Sequence, residues 1–170
     1  MVIYRRYKPE DFERLYALEE VCFEPPSRFS RRYMQLLLQR ASAATWIAKE
    51  AGQMVGFAIV DWAEEDNYVP GDRDPSPGCK NETAAYIQTV EVAPETRHQG
   101  VGRELLHCIE GSARLAGSRS IWLHVEEGNA PAIRLYETQG YRCEGREEDY
   151  YPEGRAALIY VKQLNDEAAC

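Results

Sequence analysis

The sequence has no apolar run approaching the roughly 20 residues that a membrane-spanning helix needs. Its opening residues, Met1-Val2-Ile3-Tyr4-Arg5-Arg6, carry no apolar core of the kind that directs export. It has no Cys-x-x-Cys pair. The five cysteines (Cys22, Cys79, Cys108, Cys143, Cys170) are an odd number, which argues against a disulfide framework and against structural zinc. The expectation is therefore a cytoplasmic protein with free thiols and no metal. Positive charge is also in short supply: 20 Lys+Arg stand against 28 Asp+Glu, a formal charge of −8. That balance argues against nucleic acid and anionic membrane as main partners, since basic patches do most of the holding in both cases. No repeat or low-complexity tract is present. What remains is 170 residues, 44% hydrophobic and 28% charged. This reads as a single globular domain over residues 1–164 with a polar tail over 165–170, large enough to bury about 70% of its unfolded surface.

Hydrophobic periodicity divides the chain into elements. Residues 2–7 are β-rich. Pro9 then opens a helix with Phe12, Leu15, Leu18 and Cys22 on one face. Phe23-Glu24-Pro25-Pro26-Ser27 breaks it, because a residue preceding proline is pushed out of the α region. Ser30 is placed to cap a second helix running to about Gln39. Strands over 43–50 and 54–63 flank the hairpin signal Ala51-Gly52-Gln53. Residues 64–83 form a long acidic loop with three prolines, two glycines and no period. From Ala84 the pattern runs strand (84–92), helix (100–116), strand (120–125), helix (130–139), strand (141–149) and strand (156–164). The first of these helices carries Val101, Leu105, Cys108, Ile109 and Ser112 on its apolar stripe, with Arg103, Glu104, His107, Glu110 and Arg114 elsewhere. Strands separated by helices imply an α/β or α+β sheet with helices on its faces.

The richest segment is Val90-Glu91-Val92-Ala93-Pro94-Glu95-Thr96-Arg97-His98-Gln99-Gly100-Val101-Gly102: a strand, a short turn and a helix start. A helix N-terminus presents unpaired N–H groups and the positive end of its dipole, and so attracts phosphate. Glycines at 100 and 102 let phosphate oxygens approach the backbone, and Arg97 can add a charge-assisted hydrogen bond. Neither the Lys-Ser/Thr of a triphosphate loop nor the third glycine of a dinucleotide fingerprint follows.

Arg97 through Gly102, after the strand ending Val90-Glu91-Val92-Ala93-Pro94, resembles the acetyl-CoA pyrophosphate loop of the GNAT N-acetyltransferases. Leu123-His124-Val125, then Asn129 with Ala132, Leu135-Tyr136 and Gly140-Tyr141, resembles the second half of the acetyl-CoA site in that family's RimI-like, protein N-terminal branch. Asp149-Tyr150-Tyr151-Pro152 is similar to the same branch's penultimate segment. The likeness is residue by residue from Tyr86 to Tyr151 and architectural outside it. It implies a GNAT fold, a mixed twisted sheet of about seven strands flanked by four helices, with acetyl-CoA as co-substrate. By this resemblance the backbone at Val90 and Val92 pairs with the pantetheine arm. Arg97, His98, Gln99, Gly100, Val101 and Gly102 take the pyrophosphate, and Asn129 and Tyr136 line the thioester end.

Acetyl transfer needs a neutral amine, a held thioester and a way to stabilise the departing thiolate. A peptide α-amine (pKa about 7.7–8.0) is roughly a tenth neutral at pH 7, whereas a lysine (about 10.4) is neutral in about one molecule in 2,500. A weak base therefore suffices for N-terminal amines. A thiolate (thiol pKa ~8.5) can be protonated or hydrogen-bonded by a tyrosine of pKa ~10. Tyr136, matching the family's tyrosine, is the candidate acid, with packing beside Ala132 and Ile133 as its other reading. His124 is the candidate base, with an ordinary hydrogen-bonded strand histidine as the alternative. Bacterial RimI-like enzymes commonly carry Glu there. His124 instead resembles a eukaryotic-type arrangement that pairs such a histidine with a tyrosine on the earlier strand, and Tyr86 matches that tyrosine. Glu91 is a second candidate base: Val90 and Val92 share a face, so Glu91 points the other way, where it could equally be solvated. No cysteine sits beside a matched base, which argues against a covalent acetyl-enzyme. Phe23 and Pro25, with Tyr150 and Tyr151, match two loops that clamp a peptide backbone in the resembling branch, ordinary loop packing being the other reading. The sequence thus points to an acetyltransferase acting on a primary amine, preferably a protein N-terminus such as that of a ribosomal protein. A small-molecule amine acetyltransferase and a non-catalytic acyl-CoA sensor remain as alternatives, and the oligomeric state is open.

Overall fold

The computed structural model of the chain describes residues 1–62 and 84–164. The loop over 64–83 and the tail over 165–170 lie outside the described residues. Elements form where the local signals place them. Strand β1 is Val2–Arg6, and Pro9 opens a 3-10 turn, Pro9–Asp11, that runs into helix α1, Phe12–Cys22. Ser30 caps helix α2, Arg31–Leu38, its hydroxyl accepting from Tyr33 N at 3.1 Å. Strands β2, Ala43–Glu50, and β3, Gln53–Asp61, pair antiparallel across the predicted hairpin. Then come β4, Ala84–Val92, α3, Val101–Leu115, β5, Ser120–Glu126, α4, Ala130–Thr138, β6, Arg142–Tyr151, and β7, Arg155–Gln163.

The strands make a seven-stranded mixed sheet in the order β1-β2-β3-β4-β5-β7-β6, and with the four helices this is the GNAT fold. β4 and β5 are parallel, with a register of three residues from Ala84↔Ser120 to Tyr86↔Trp122.

The residues group into two compact units: Met1–Asp61 with Gln88–Ser112, and Trp62–Ile87 with Ala113–Cys170. β4 and α3 pass through both. The first unit has a core of Leu15, Leu18, Met34, Leu37, Ile47, Phe57, Ile59 and Ala93. In the second, Ala84, Trp122 and Ile159 pack together with Tyr86 and Val161 beside them. α3 departs from expectation at three positions. Its predicted stripe is buried at Val101, Leu105 and Ile109, but Leu106, Glu110 and Ala113 are buried too, so the helix is covered along a wider arc than a single stripe.

Gly56 on β3 is where this packing is tightest. A Cβ built there would lie 2.8 Å from the Glu91 carbonyl oxygen and 3.0 Å from Leu105 Cδ1. Backbone cannot yield as a flexible side chain does, so Gly56→Ala is expected to destabilise the protein by about 1–3 kcal/mol, the usual cost of overpacking. A denaturant midpoint equal to that of the unsubstituted protein would contradict this.

Candidate active site

In the first unit, β4 ends at Val92; the N–H of Ala93, the next residue, donates to Val55 O at 2.8 Å, and the 3-10 turn Pro94–Thr96 leads to the start of α3. The chain turns there through positive φ at His98 (63°) and Gly100 (84°). Glycine tolerates that geometry freely, and nothing but the end of the Arg103 side chain (3.6 Å) lies where a Cβ would project. The Glu104 N–H bonds Gly100 O at 3.1 Å, so the amides just before it open the helix with no intrahelical acceptor. These are the elements an anion needs: free amides, a bare α-carbon and the dipole's positive end. Arg97 lies back along the strand, with Nε donating to Val92 O at 3.1 Å and a guanidinium nitrogen 4.0 Å from Cys22 Sγ. Arg103, placed off the apolar stripe by the sequence, reaches beside Gly100 and pairs with Glu104 at 3.3 Å.

The second unit assembles the aromatic and titratable groups. Tyr86 Oη and His124 Nδ1 are 2.9 Å apart. The Tyr150 ring stacks on the His124 ring (4.2 Å, 15°), and Trp122 meets both Tyr86 (4.6 Å) and His124 (5.2 Å). Glu147 Oε1 stands 3.5 Å from His124 Nε2, an ion-pair distance rather than a hydrogen bond. Glu147 and Tyr150 are three residues apart and would lie on opposite faces of a regular strand. Both reach His124 because β6 loses register between Glu147 and Tyr151, where Asp149 takes φ 53°. Burial lowers the His124 pKa, and the Glu147 carboxylate opposes that shift. The imidazole is therefore neutral at pH 7. With an anion on the Nε2 side, the favoured tautomer carries its proton on Nε2 and leaves Nδ1 to accept from the Tyr86 hydroxyl.

Tyr136 on α4 is buried and meets Tyr141 edge-on at 5.5 Å. Burial, then Tyr151, pushes its pKa up, so it remains a phenol throughout the working range. Tyr151 packs edge-on against Tyr150 at 4.9 Å and is likewise pushed up by burial. Asn129 caps α4, its side-chain oxygen accepting from Ala132 N at 3.3 Å.

The structure thus brings Tyr86, His124, Tyr150 and Tyr151 into one aromatic row, and it adds Glu147 and Trp122, neither of which was singled out from sequence. Trp122 carried a signal, alternation with His124 on the same face. Glu147 carried none, because its position depends on the β6 irregularity. Val90 and Val92 are half-buried on β4. Glu91 is not solvated: it is buried, and its Oε1 accepts from Thr89 Oγ1 at 2.9 Å. Phe23 and Pro25 lie on the exposed loop after α1, where the Pro25–Pro26 peptide is cis. The described cysteines (Cys22, Cys108, Cys143) are free thiols. Burial raises the Cys22 pKa to about 11, and its neutral thiol is a poor nucleophile.

The seven-stranded mixed sheet flanked by four helices is the fold of an acyltransferase class. The chain belongs to the acetyltransferase (GNAT) family, whose model matches residues 12–141, and acetyl-CoA is its co-substrate. It is 26% identical over 178 residues to the histone acetyltransferase MCC1 of Arabidopsis thaliana, covering 95% of this chain and 70% of that protein. It is 31% identical over 123 residues to the streptothricin acetyltransferase of Streptomyces lavendulae (69% of this chain, 57% of that protein). With the ribosomal protein bS18-alanine N-acetyltransferase of Escherichia coli K12 it shares 35% identity over 79 residues (45% of this chain, 53% of that protein). A crystal structure of the E. coli S18-alanine enzyme matches over 100% of both chains with a TM-score of 0.77 at 21% identity, a likeness of fold. The sequence matches to the streptothricin and bS18-alanine acetyltransferases span little more than half of each relative's length. No helix among the described residues is long and apolar enough to cross a membrane.

Proposed function

We propose that residues 1–164 act as one cytoplasmic catalytic domain that moves the acetyl group of acetyl-CoA directly to the α-amine of a protein or peptide N-terminus. The observation that carries this reading is the 2.9 Å contact between Tyr86 Oη and His124 Nδ1, held by a neutral, stacked imidazole. An α-ammonium needs only a modest base, and a histidine of lowered pKa suits it, whereas a lysine ε-ammonium would need a far stronger one. In this reading the amides and glycines of 97–102 grip the pyrophosphate, and Val90 and Val92 hold the pantetheine arm. Asn129 borders the thioester end. As the new N–C bond forms, the amine proton passes to Tyr86 while the tyrosine's own proton passes to His124 Nδ1. As the C–S bond breaks, the Tyr136 hydroxyl hydrogen-bonds the departing sulfur.

In this reading Phe23, Pro25, Tyr150 and Tyr151 are the residues assigned to the acceptor. Tyr151→Ala is expected to raise the KM for a short peptide about tenfold, the worth of one aromatic contact of ~1.4 kcal/mol, with the acetyl-CoA KM unchanged. An unmoved peptide KM would remove Tyr151 from the clamp. The likeness to streptothricin acetyltransferase favours a second reading, a small-molecule amine as acceptor. Release of CoA thiol across an acceptor panel separates the two. Peptides with a free N-terminus should outperform N-blocked peptides, polyamines and aminoglycosides. The reverse order supports the small molecule, and turnover with no acceptor at all defeats both.

A further inference from the structure

Two carboxyl groups that this chemistry leaves unused sit together inside the first unit. Glu19 on α1 is 1% exposed and Glu91 on β4 is 3% exposed. Each has one oxygen satisfied: Phe29 N–H donates to Glu19 Oε1 at 2.8 Å, and Thr89 Oγ1 donates to Glu91 Oε1 at 2.9 Å. The other oxygen of each, Oε2, is buried without a donor. Cys22 Sγ donates to Val92 O at 3.8 Å, which sets this face of α1 against the end of β4, and Glu19, one turn before Cys22, faces the Glu91 carboxyl there. The titratable and charged groups facing them are Cys22 from α1 and Arg97 from the turn after β4. Cys22 is a neutral thiol, and Arg97 donates to Val92 O and lies against Cys22 Sγ. Two ionised carboxylates side by side out of water would be both repelled and desolvated. A single proton between them removes one charge and converts two orphaned acceptors into a donor and an acceptor.

We propose that Glu91 keeps its proton at neutral pH and donates it to Glu19, and that the bridged pair is a positioning device tying the loop over residues 23–30 to strand β4. The tie runs from Thr89 and Glu91 across the proton to Glu19, and from Glu19 into the backbone of Phe29. Its importance for catalysis rests on the function proposed above, since that loop carries Phe23 and Pro25 and the strand carries Val90 and Val92. Glu91 is on this account a positioning residue and not the base.

The bridge has a pH sense. Burial and the neighbouring carboxyl hold the Glu91 pKa well above its usual value in the folded protein. A pKa raised on folding gives stabilisation that is complete below the unfolded-state pKa of about 4.3 and is lost as pH rises through the folded value. Glutamine at either position supplies the bridging donor without titrating.

The test uses the protein without coenzyme or acceptor. Thermal unfolding of the unsubstituted protein, Glu91→Gln and Glu91→Ala is followed from pH 5 to pH 9, with infrared difference spectra recorded at pH 7. The Tm of the unsubstituted protein should fall relative to Glu91→Gln as pH rises, and Glu91→Ala should lie below both at pH 5. A protonated-carboxyl stretch present at pH 7 should vanish in Glu91→Gln. Should Glu91→Gln fail to fold, Glu19→Gln serves, because its amide oxygen still accepts from Phe29 while its nitrogen donates to Glu91. Parallel Tm curves, or no protonated-carboxyl band, overturn the retained proton. The positioning role is read from acceptor KM: the ratio of unsubstituted protein to Glu91→Gln should grow severalfold between pH 7 and pH 9. A constant ratio overturns that role even where the Tm result holds. These Tm and infrared readouts need no substrate, so they stand or fall separately from the proposed acetyl transfer.

Discussion

Tyr136→Phe is expected to lower kcat by about 10²–10³-fold while leaving the dissociation constant for acetyl-CoA and the Tm nearly unchanged. The ring is buried against Tyr141, and phenylalanine preserves it, so only the hydroxyl is removed. The magnitudes decide what that hydroxyl does. A phenol whose pKa is pushed above 10 is a weaker acid than a thiol of about 8.5, so full proton transfer to the sulfur is uphill by more than about 2 kcal/mol. A hydrogen bond aimed at the developing thiolate carries no such penalty, and losing one preorganised donor of this kind costs about 10²–10³ in rate. Titration calorimetry with acetyl-CoA and steady-state kinetics give the two numbers. A dissociation constant that worsens as much as kcat falls would make Tyr136 a packing residue, as its burial alone would suggest.

His124→Ala should reduce kcat by about 10²-fold at pH 7 and change the shape of the pH profile. In the unsubstituted enzyme the rising limb of kcat should lie below pH 6.5, because burial lowers the His124 pKa even against the pull of Glu147. Without the imidazole, the reaction waits for the amine to shed its own proton. The limb then moves to about pH 8, the α-amine's own range. The deficit should therefore narrow as pH rises past the amine's pKa. Tyr86→Phe should leave His124 in place but cut its link to the amine, lowering kcat and moving the limb toward the same higher range. A His124→Ala profile that keeps the original limb would hand the base role to another group.

Much of this site is legible in the chain because its signals are local. Pro94, Gly100 and Gly102 announce a turn and a helix start whatever surrounds them. The Tyr86–His124 pair required more: alternation gives the face of each strand, but only the resemblance sets the two strands side by side. Glu91 shows where local rules fail. Alternation correctly set it opposite Val90 and Val92, and the usual bias that charge belongs in water then suggested solvent. The neighbour proposed for it is Glu19, 72 positions earlier in the chain, and two buried acids become tolerable neighbours only once they are read as a protonation unit. Glu147 was hidden for a related reason. Its approach to His124 depends on a lost register in β6 and a positive φ at Asp149, which no alternating pattern encodes. Glu110 is buried because α3 is covered over more than its apolar stripe, a property of the neighbours rather than of the helix.

Gly56 touches no ligand, yet Val101 and Leu105 rest against its bare α-carbon, so the first turn of α3 is seated directly on the middle of β3. On the proposed function, the aim of the amides assigned to the coenzyme is thus inherited from β3. A bulkier residue at 56 tilts the helix mouth before it unfolds anything, and its first symptom is poor capture of the acyl donor by an enzyme whose reactive groups are all intact.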